Sequence, residues 1–531
     1  MSAKFYKQFN LKLNRNQQIP LFSANGGKIT VLGSANVIFS TSTCKVSSTV
    51  LVATDMTHPV LLSWHDMIKL AIIPASFPWP TAASVESSVR EQILSAFPSV
   101  FSDELGVKPM NSEKVHLHLK DNAIPYRVSA ARQIPLRFKE PAEACVKELL
   151  NKGVITPCHE PSEWCSPGFF VVKPDGKNVR MVTDFTKLNS YVQRPVHPFT
   201  CVSEILQSIP SDAKVFAKMD AVNGYFQIEL DEESSRKTTF LLPSGRYRYL
   251  RIPQGLNASS DEWCRRSDAI LDGLPWAKKI VDDVLVWASN MQELQSRITT
   301  VANNCKRLNI TLSKKKFQAG LQIPFAGYIV GANGIQPDPE RVSAIKQFAK
   351  PKNATDVKSF LGMAQQLAFF MPDYSHATMS MRQLLGKGKI FQWLPEHEEE
   401  FNNLKNILST NLLTKHFNPS KPVTLLTDAS RQHGVGFALC QEDDNNRRVI
   451  ITCGSKSITP TQQRYATIEL ECLAIMWAIR KCEFYLKGLP AFTIQTDHKL
   501  LVGIFPKHLA DLANPRHRSL REKISGYTFK V

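Results

Sequence analysis

The sequence predicts a multidomain chain of mixed α+β and α/β class, and three observations carry that expectation. At 531 residues and 43% hydrophobic content, the chain is long enough for several packed cores. Its 32 prolines are scattered, which fits many short punctuated elements better than one repeat array. The patterning also changes twice, from short alternating runs up to about residue 85, to a long region mixing strands and helices, to strands, one long helix and a further strand from residue 419 onward.

The first region holds GGKITVLGSANVIF and SSTVLVA, broken by Gly, Asn and Ser, the pattern of a small β domain. The stretch FPWPTAASVESS reads as a linker, and a helix is expected from Val89 through REQILSAF. Further along, Pro-Asp and Asn-Ala-Thr-Asp turns should cap helices within GANGIQPDPERVSAIKQFAKPKNATDVKSFLGMAQQLAFFMPDY. The last region offers VTLLTDAS, GVGFALCQ and RRVIITCGSKS as strands, TIELECLAIMWAIRKCEFYL as a long helix and AFTIQTD as a fourth strand.

Composition narrows the function. A formal net charge of +18 and a pI near 9.4 favour a polyanionic partner, with nucleic acid the leading candidate. The 11 cysteines form no C-x-x-C pair and no zinc spacing with histidine, so free thiols in a reducing compartment are expected. MSAKFYKQFN lacks a signal-peptide core, and no apolar run approaches the roughly 18 residues that span a bilayer. A soluble intracellular protein with no membrane partner is the expectation.

Chemistry concentrates at two acidic constellations. In KKIVDDVLVWAS, Asp282 and Asp283 sit between apolar runs, predicting a hairpin with adjacent acids at its tip. Two neighbouring carboxylates on apolar strands are costly unless a cation neutralises them, which points to a hard metal; an exposed Asp-Asp turn is the alternative for the pair alone. In VFAKMDAVNGYFQIEL, Asp220 likewise ends an apolar strand. Two such sites would supply the acids for two metals ~4 Å apart, as phosphoryl transfer needs.

The ordered segments FFVVKPDGKNVRMVTDFTKLNS, FAKMDAVNGYFQI, YLRIPQGLNASSDEW, IVDDVLVWA, LSKKKFQ and FAGYIV resemble the fingers and palm motifs of gypsy-type LTR retrotransposon reverse transcriptases. The resemblance continues through VKSFLGMAQQLAFFMPDYS and FQWLPEHEEEFNNLKNIL, similar to the family's connection, and covers roughly residues 89–531. It implies a right-hand polymerase of fingers, palm and thumb, with Asp220 and Asp282 as metal ligands and Asp283 as the supporting acid. By the same match Lys173 and Arg180 would clamp the incoming triphosphate, Tyr225 would lie beneath the nucleotide sugar and exclude a 2′-hydroxyl, and Gln254 would position template and nucleotide. A solvated surface cation is the bland reading of Lys173 or Arg180 taken singly, and a core tyrosine that of Tyr225. Ile280 departs from the aromatic residue the family usually carries before x-Asp-Asp. Arg265, Arg266, Lys278, Lys279 and Lys314 to Lys316 are candidates for following a template-primer backbone, although charge runs usually form a solvated face.

At the C-terminal end Asp428 closes the first strand, Glu471 lies in the helix and Asp497 closes the fourth strand, a layout that can gather three carboxylates over one sheet edge. LLTDAS, RYATIELECLAIMWAI and IQTDHKLL resemble the retroelement ribonuclease H motifs. Glu471, directly before LAI, takes the helical place, and Glu469 is expected to be solvated or in an ion pair. The family's fourth acid would lie beyond the strand expected at YTFKV. The first 85 residues resemble the C-terminal part of a retroviral aspartic protease, with PVLLSWHDMIKL in place of the usual apolar-apolar-Gly segment and no Asp-Thr-Gly or Asp-Ser-Gly.

The domains expected are therefore 1–85 partial protease-like, 86–335 fingers and palm, 336–418 thumb and connection, and 419–531 ribonuclease H-like. The resemblance further implies Mg²⁺, two per active site with Mn²⁺ as substitute. Its implied partners are an RNA template, a DNA primer, an RNA–DNA hybrid, deoxynucleoside triphosphates and other element proteins, in the cytoplasm within virus-like particles. The alternative from another class is a decayed or domesticated copy that binds nucleic acid without catalysis.

Overall fold

In the strand Val215–Asp220 nearly every position is buried, which requires a sheet covered on both faces. A computed structural model of the chain supplies that sheet and its coverings. It describes residues 82–104, 108–386, 388–408, 412–505 and 508–531, and ahead of them 2–6, 8, 12–14, 21–22, 28–41, 44–54, 60, 67 and 69–70. Two units are distinguished, Met1–Glu86 and Ser87–Val531.

In the first unit, β1 (Val31–Ser40) and β2 (Lys45–Ala53) form an antiparallel hairpin from the two alternating runs, as the sequence predicts. Most of PVLLSWHDMIKL lies outside the described residues. Helix α1 (Ala82–Ala96) corrects the linker expectation over residues 82–88, while the FPWPT part of that stretch lies outside the described residues. The Ala, Glu and Gln of ASVESSVREQILSA are sound helix formers, and Val89 and Ile93 bury into a core, so the helix begins seven residues before Val89.

Beyond α1 come β3 (Ile155–Pro157), β4 (Ser166–Val172), β5 (Val179–Thr183), β6 (Val215–Asp220), β7 (Phe240–Leu242) and β8 (Gly245–Tyr249). Helix α2 (Asn257–Ser267), the hairpin β9 (Ala277–Ile280) and β10 (Asp283–Ala288), helix α3 (Met291–Leu308) and β11 (Gln318–Gly320) follow. One sheet has the order β3-β8-β7-β4-β5, and the next β9-β10-β6-β11. In the second sheet alternate residues enter different cores. Val215, Ala217, Met219, Val284 and Val286 join the core that includes α2 and α3, while Phe216, Leu285 and Trp287 join a core built with the elements after residue 320. The acid-bearing strands are thus gripped from both sides.

The second core is completed by a three-stranded sheet, β12 (Gln322–Phe325), β13 (Tyr328–Gly331) and β14 (Gly334–Pro337), and by helices α4 (Pro339–Lys346), α5 (Ala354–Gln365) and α6 (Pro395–Ile407). As the turn motifs predict, Asp338 caps α4 by accepting from Glu340 N at 2.9 Å, and Asn353 caps α5 by accepting from Asp356 N at 2.9 Å.

The last layer is a sheet of order β17-β16-β15-β18-β19, formed by β15 (Val423–Ser430), β16 (Gly434–Glu442), β17 (Arg448–Lys456), β18 (Phe492–Gln495) and β19 (Phe529–Lys530). β15, β16 and β17 pair antiparallel, whereas β18 and β19 add parallel. Helix α7 (Thr467–Lys481) packs Leu473, Ile475, Met476 and Ile479 against Leu425, Leu439 and Ile451. The helix expected through Leu486 is split, because Cys482 leaves the helical conformation and only the short turn Glu483–Leu486 follows. No helix among the described residues is long and apolar enough to cross a membrane.

Gln227 locks the turn after β6 into this frame. Its buried amide donates to Val222 O and Thr311 O, each at 2.9 Å, and accepts from Thr311 N at 2.8 Å. Gln227→Leu keeps the bulk and strands those three backbone groups, so a loss of about 2–3 kcal/mol in stability by chemical denaturation is expected.

Candidate active sites

Strand register builds the first site. Asp283 pairs directly with Asp220 across β10 and β6, and Asp282 occupies the two-residue turn between Ile280 and Asp283. That turn is held on both sides: Trp263 Nε1 donates to Val281 O at 3.0 Å, and Ala221 N donates to Asp282 O at 3.0 Å. Gly224 closes it from below. A Cβ there would run into Asp282 Oδ1 and come within 2.7 Å of the Trp263 ring. The three predicted acids are therefore brought to one end of the sheet, but among the described residues only the acids of the second site have oxygens all within 4.8 Å of one another.

Their electrostatics are those of a cation site. Asp282 Oδ1 and Asp283 Oδ1 are both buried with no hydrogen-bond partner among the described residues. Burial, reinforced by the Asp220 and Asp283 charges, raises the Asp282 carboxyl to about 6. Burial also raises Asp283, with Lys218 opposing and Asp220 adding to the rise. Lys218 Nζ lies 3.2 Å from Asp283 Oδ1, a Coulombic contact whose angles miss hydrogen-bond alignment, and Lys316 Nζ lies 2.8 Å from Asp220 Oδ1. Neither lysine's contact was anticipated from sequence. Lys218 was within reach of strand periodicity, since a residue two before Asp220 shares its face.

The other predicted residues are placed as follows. Tyr225 lies half-buried in the turn Gly224–Gln227, its hydroxyl 3.0 Å from Ser260 Oγ, and burial raises its pKa. Lys173 and Arg180 are exposed on one face of the β4–β5 hairpin, where Val171 pairs with Arg180 and Lys173 N donates to Asn178 O. Among the described residues no hydrogen bond or ion pair links either cation to the acids. Gln254 is exposed on the turn ahead of α2.

Two of the basic residues considered for a nucleic-acid track are not on the surface. Arg266 is buried and paired with Glu262 one helical turn before it, and Lys279 is buried, donating to Cys264 O at 3.2 Å and Ser267 Oγ at 2.8 Å and pairing with Asp268 at 2.8 Å. Desolvating a cation is costly, so both are consumed by internal partners. Lys278, Arg265, Lys314 and Lys315 remain exposed, and exposed Lys316 turns to Asp220.

In the second site Asp428, Glu471 and Asp497 each offer an oxygen within 4.8 Å of the others. Glu471 is 2% exposed and accepts from Ala429 N at 3.1 Å and from Thr496 Oγ1 at 3.3 Å. Burial first, then the Asp497 and Asp428 charges, raise it to about 7. The competitor Glu469 is paired, as one of its two expected readings has it, but buried rather than solvated. It meets Arg516 at 2.6 Å and closes back onto Ala466 N at 3.1 Å.

The chain matches two families in sequence. Residues 171–353 match the family described as reverse transcriptase (RNA-dependent DNA polymerase), and residues 393–494 that described as RNase H-like domain found in reverse transcriptase. It is 30% identical over 78% of its length to the retrovirus-related Pol polyprotein from transposon opus of Drosophila melanogaster, covering 42% of that protein. It is 33% identical over 67% of its length to the corresponding polyprotein from transposon gypsy of the same organism, covering 36% of it. The Tf2-3 transposon polyprotein of Schizosaccharomyces pombe is 28% identical over 64% of the chain, with 25% of that polyprotein covered. The chain thus spans well under half the length of these relatives. Among solved structures, the foamy viral protease-reverse transcriptase dRH in complex with double-stranded DNA aligns with TM-score 0.70 at 17% identity, over 97% of this chain and 93% of that one. The foamy viral enzyme in complex with an RNA/DNA hybrid aligns with TM-score 0.68 at 17% identity, over 97% and 72% of the two chains. The fold is that of these enzymes.

The raised Glu471 carboxyl sets a pH test. Its folded value of about 7 lies above the ordinary 4.5, so the stability it contributes is fully present below pH 4.5 and lost as pH rises through 7. Glu471→Gln should therefore unfold at the same temperature as the parent below pH 4.5. At pH 8 in EDTA the variant should unfold roughly several degrees higher. Thermal scans across that range are the measurement, and a difference independent of pH would contradict the assignment.

Proposed function

We propose that this chain, which carries the reverse transcriptase and ribonuclease H-like domains found in LTR retrotransposon Pol polyproteins, copies RNA into DNA and hydrolyses the RNA strand of the resulting hybrid. The observation that carries the reading is the meeting of Asp220, Asp282 and Asp283 at one strained hairpin, with a buried Asp282 oxygen that lacks a partner. In this reading residues 1–85 are a partial protease-like segment, 86–335 the fingers and palm, 336–418 the thumb and connection, and 419–531 the ribonuclease H-like domain.

A divalent cation fits both acidic sites, because each crowds carboxylates whose ionised forms burial disfavours. Asp220 and Asp282 would hold Mg²⁺ in the first, and Asp428, Glu471 and Asp497 in the second, with Mn²⁺ as a substitute and two ions per site. Such ions, when bound, stabilise negative charge on attacking and leaving oxygens. The protein's own groups do the rest. Asp283 supports the hairpin that aims Asp282. Lys173 and Arg180, on one face of a hairpin, take the triphosphate of the incoming nucleotide. Tyr225, propped by Ser260, bounds the sugar on the side where a 2′-hydroxyl would stand, and Gln254 contacts template and nucleotide. Exposed Arg265, Lys278, Lys314 and Lys315 follow the phosphate backbone. The substrates are an RNA template, a DNA primer, deoxynucleoside triphosphates and the RNA–DNA hybrid, met in the cytoplasm within virus-like particles alongside other element proteins.

Primer extension on an RNA template tests the polymerase half. Asp282→Asn should abolish extension while template-primer affinity stays within about twofold, since backbone contacts dominate affinity. Extension at the parent rate would refute the reading. Tyr225→Val should raise ribonucleotide relative to deoxynucleotide incorporation by about tenfold or more; an unchanged ratio with extension preserved would return Tyr225 to a packing role.

A further inference from the structure

Period-two alternation places Phe216, Lys218 and Asp220 on one face of β6, and the register sets Trp287, Leu285 and Asp283 opposite them in that order. Lys218 therefore stands directly across from Leu285 and diagonally across from Asp283, which its ammonium approaches to 3.2 Å. Phe216 and Leu285 are both fully buried, and the Lys218 side chain is 21% exposed. Asp220 and Asp283 face each other as like charges in direct register, a destabilising pairing unless a cation stands beside them.

We propose that Lys218 is a positioning residue of the polymerase site: its ammonium holds Asp283 as a fixed internal counter-ion, keeping that acid out of the metal-binding set that Asp220 and Asp282 form. The inference rests on the polymerase reading above. It follows from a contrast between two lysines. Lys316 reaches Asp220 from a loop with its side chain 63% exposed, so its contact is a weak, solvent-screened pair that an incoming cation can displace. Lys218 reaches Asp283 from within a covered strand, and separating them would leave two half-buried charges uncompensated. Asp282 meets neither lysine at ion-pair distance among the described residues, and its Oδ1 lacks a partner. One acid thus has its counter-ion within the sheet, one has an exposed counter-ion, and one meets no lysine at ion-pair distance. The pairing within the sheet leaves Asp283 to brace the hairpin turn that aims Asp282.

Manganese binding by electron paramagnetic resonance reads this without turnover, in the full chain carrying Asp428→Asn and Asp497→Asn so that the nuclease acids do not contribute. Lys218→Met, which keeps the stem and removes the charge, should release Asp283 as a third ligand and tighten Mn²⁺ binding by at least about threefold. The same change should lower kcat for primer extension about tenfold or more, with KM for nucleotide little altered. In Lys218→Met/Asp283→Asn the gain in Mn²⁺ affinity should vanish. A gain that persists there would be a plain loss of repulsion and would overturn the proposal, as would unchanged or weaker Mn²⁺ binding in Lys218→Met. Should Lys218→Met fail to fold, Lys218→Arg decides: with the cation retained, Mn²⁺ affinity should stay within about twofold of the parent, and a larger change overturns the inference. No Mn²⁺ binding by the parent would sink the polymerase reading itself, a different failure from parent binding that Lys218 does not influence.

Discussion

Like-charge repulsion inside a covered sheet is the constraint from which the rest of the reverse transcriptase-like half follows. Asp220 and Asp283 are paired across neighbouring strands, and Asp282 adds a third carboxyl at the turn. Nothing in the apolar strands around them would tolerate three ionised groups at once. The surroundings answer with two lysines of different exposure, with a pKa that burial and the neighbouring acids lift to about 6 at Asp282 so that it takes up a proton more readily, and with packing from two separate cores that grips the strands. The same burial that makes the acids costly makes them effective, since a cation taken up there is attracted across a medium of low polarity.

The ribonuclease H-like half meets the same constraint with different parts. There the crowded carboxylates come from a strand end, a helix and another strand end, and only the helical one is deeply buried. Glu471 is fixed by two donated hydrogen bonds, from Ala429 N and Thr496 Oγ1, yet burial and its acidic neighbours still carry it to about 7. Two residues earlier, Glu469 is buried too, but Arg516 and Asn514 satisfy it and its pKa falls below the ordinary value despite burial. The two glutamates differ in partners as well as in depth. An acid left without a cation is the one poised to receive one.

That difference also marks what the sequence could disclose. Asp220, Asp282, Asp428 and Asp497 were legible because each ends or interrupts an apolar run, a one-dimensional signal. For Lys218, strand periodicity shows only that it shares a face with Asp220; its pairing with Asp283, 65 positions away, depends on the strand register that the fold supplies. Arg266 and Lys279 look like members of exposed charge pairs until the fold supplies Glu262, Ser267 and Asp268 as internal partners; only the Arg266–Glu262 spacing was visible beforehand. The linker expectation failed for a local reason. Prolines at 78 and 80 and three serines favour a linker, whereas the Ala and Glu residues among them are good helix formers, and in the structure the helix prevails from residue 82.

The hairpin turn resolves why an Asp-Asp pair here differs from an ordinary surface turn. Two-residue hairpin turns with left-handed backbone are normally built from Asn or Gly, which adopt positive φ at little cost. This one places Val281 at φ 49°, a conformation that a β-branched residue resists. Left to itself the turn would relax to another geometry. It is held because Trp263 binds the Val281 carbonyl, Ala221 binds the Asp282 carbonyl, and Gly224 yields the space in which Asp282 and the Trp263 ring meet. Strain kept in place by three neighbours is how the fold points a costly carboxylate at one spot rather than letting it turn to solvent. An exposed Asp-Asp turn would need none of those contacts, so their presence together argues that aiming Asp282 is what the turn is built to do.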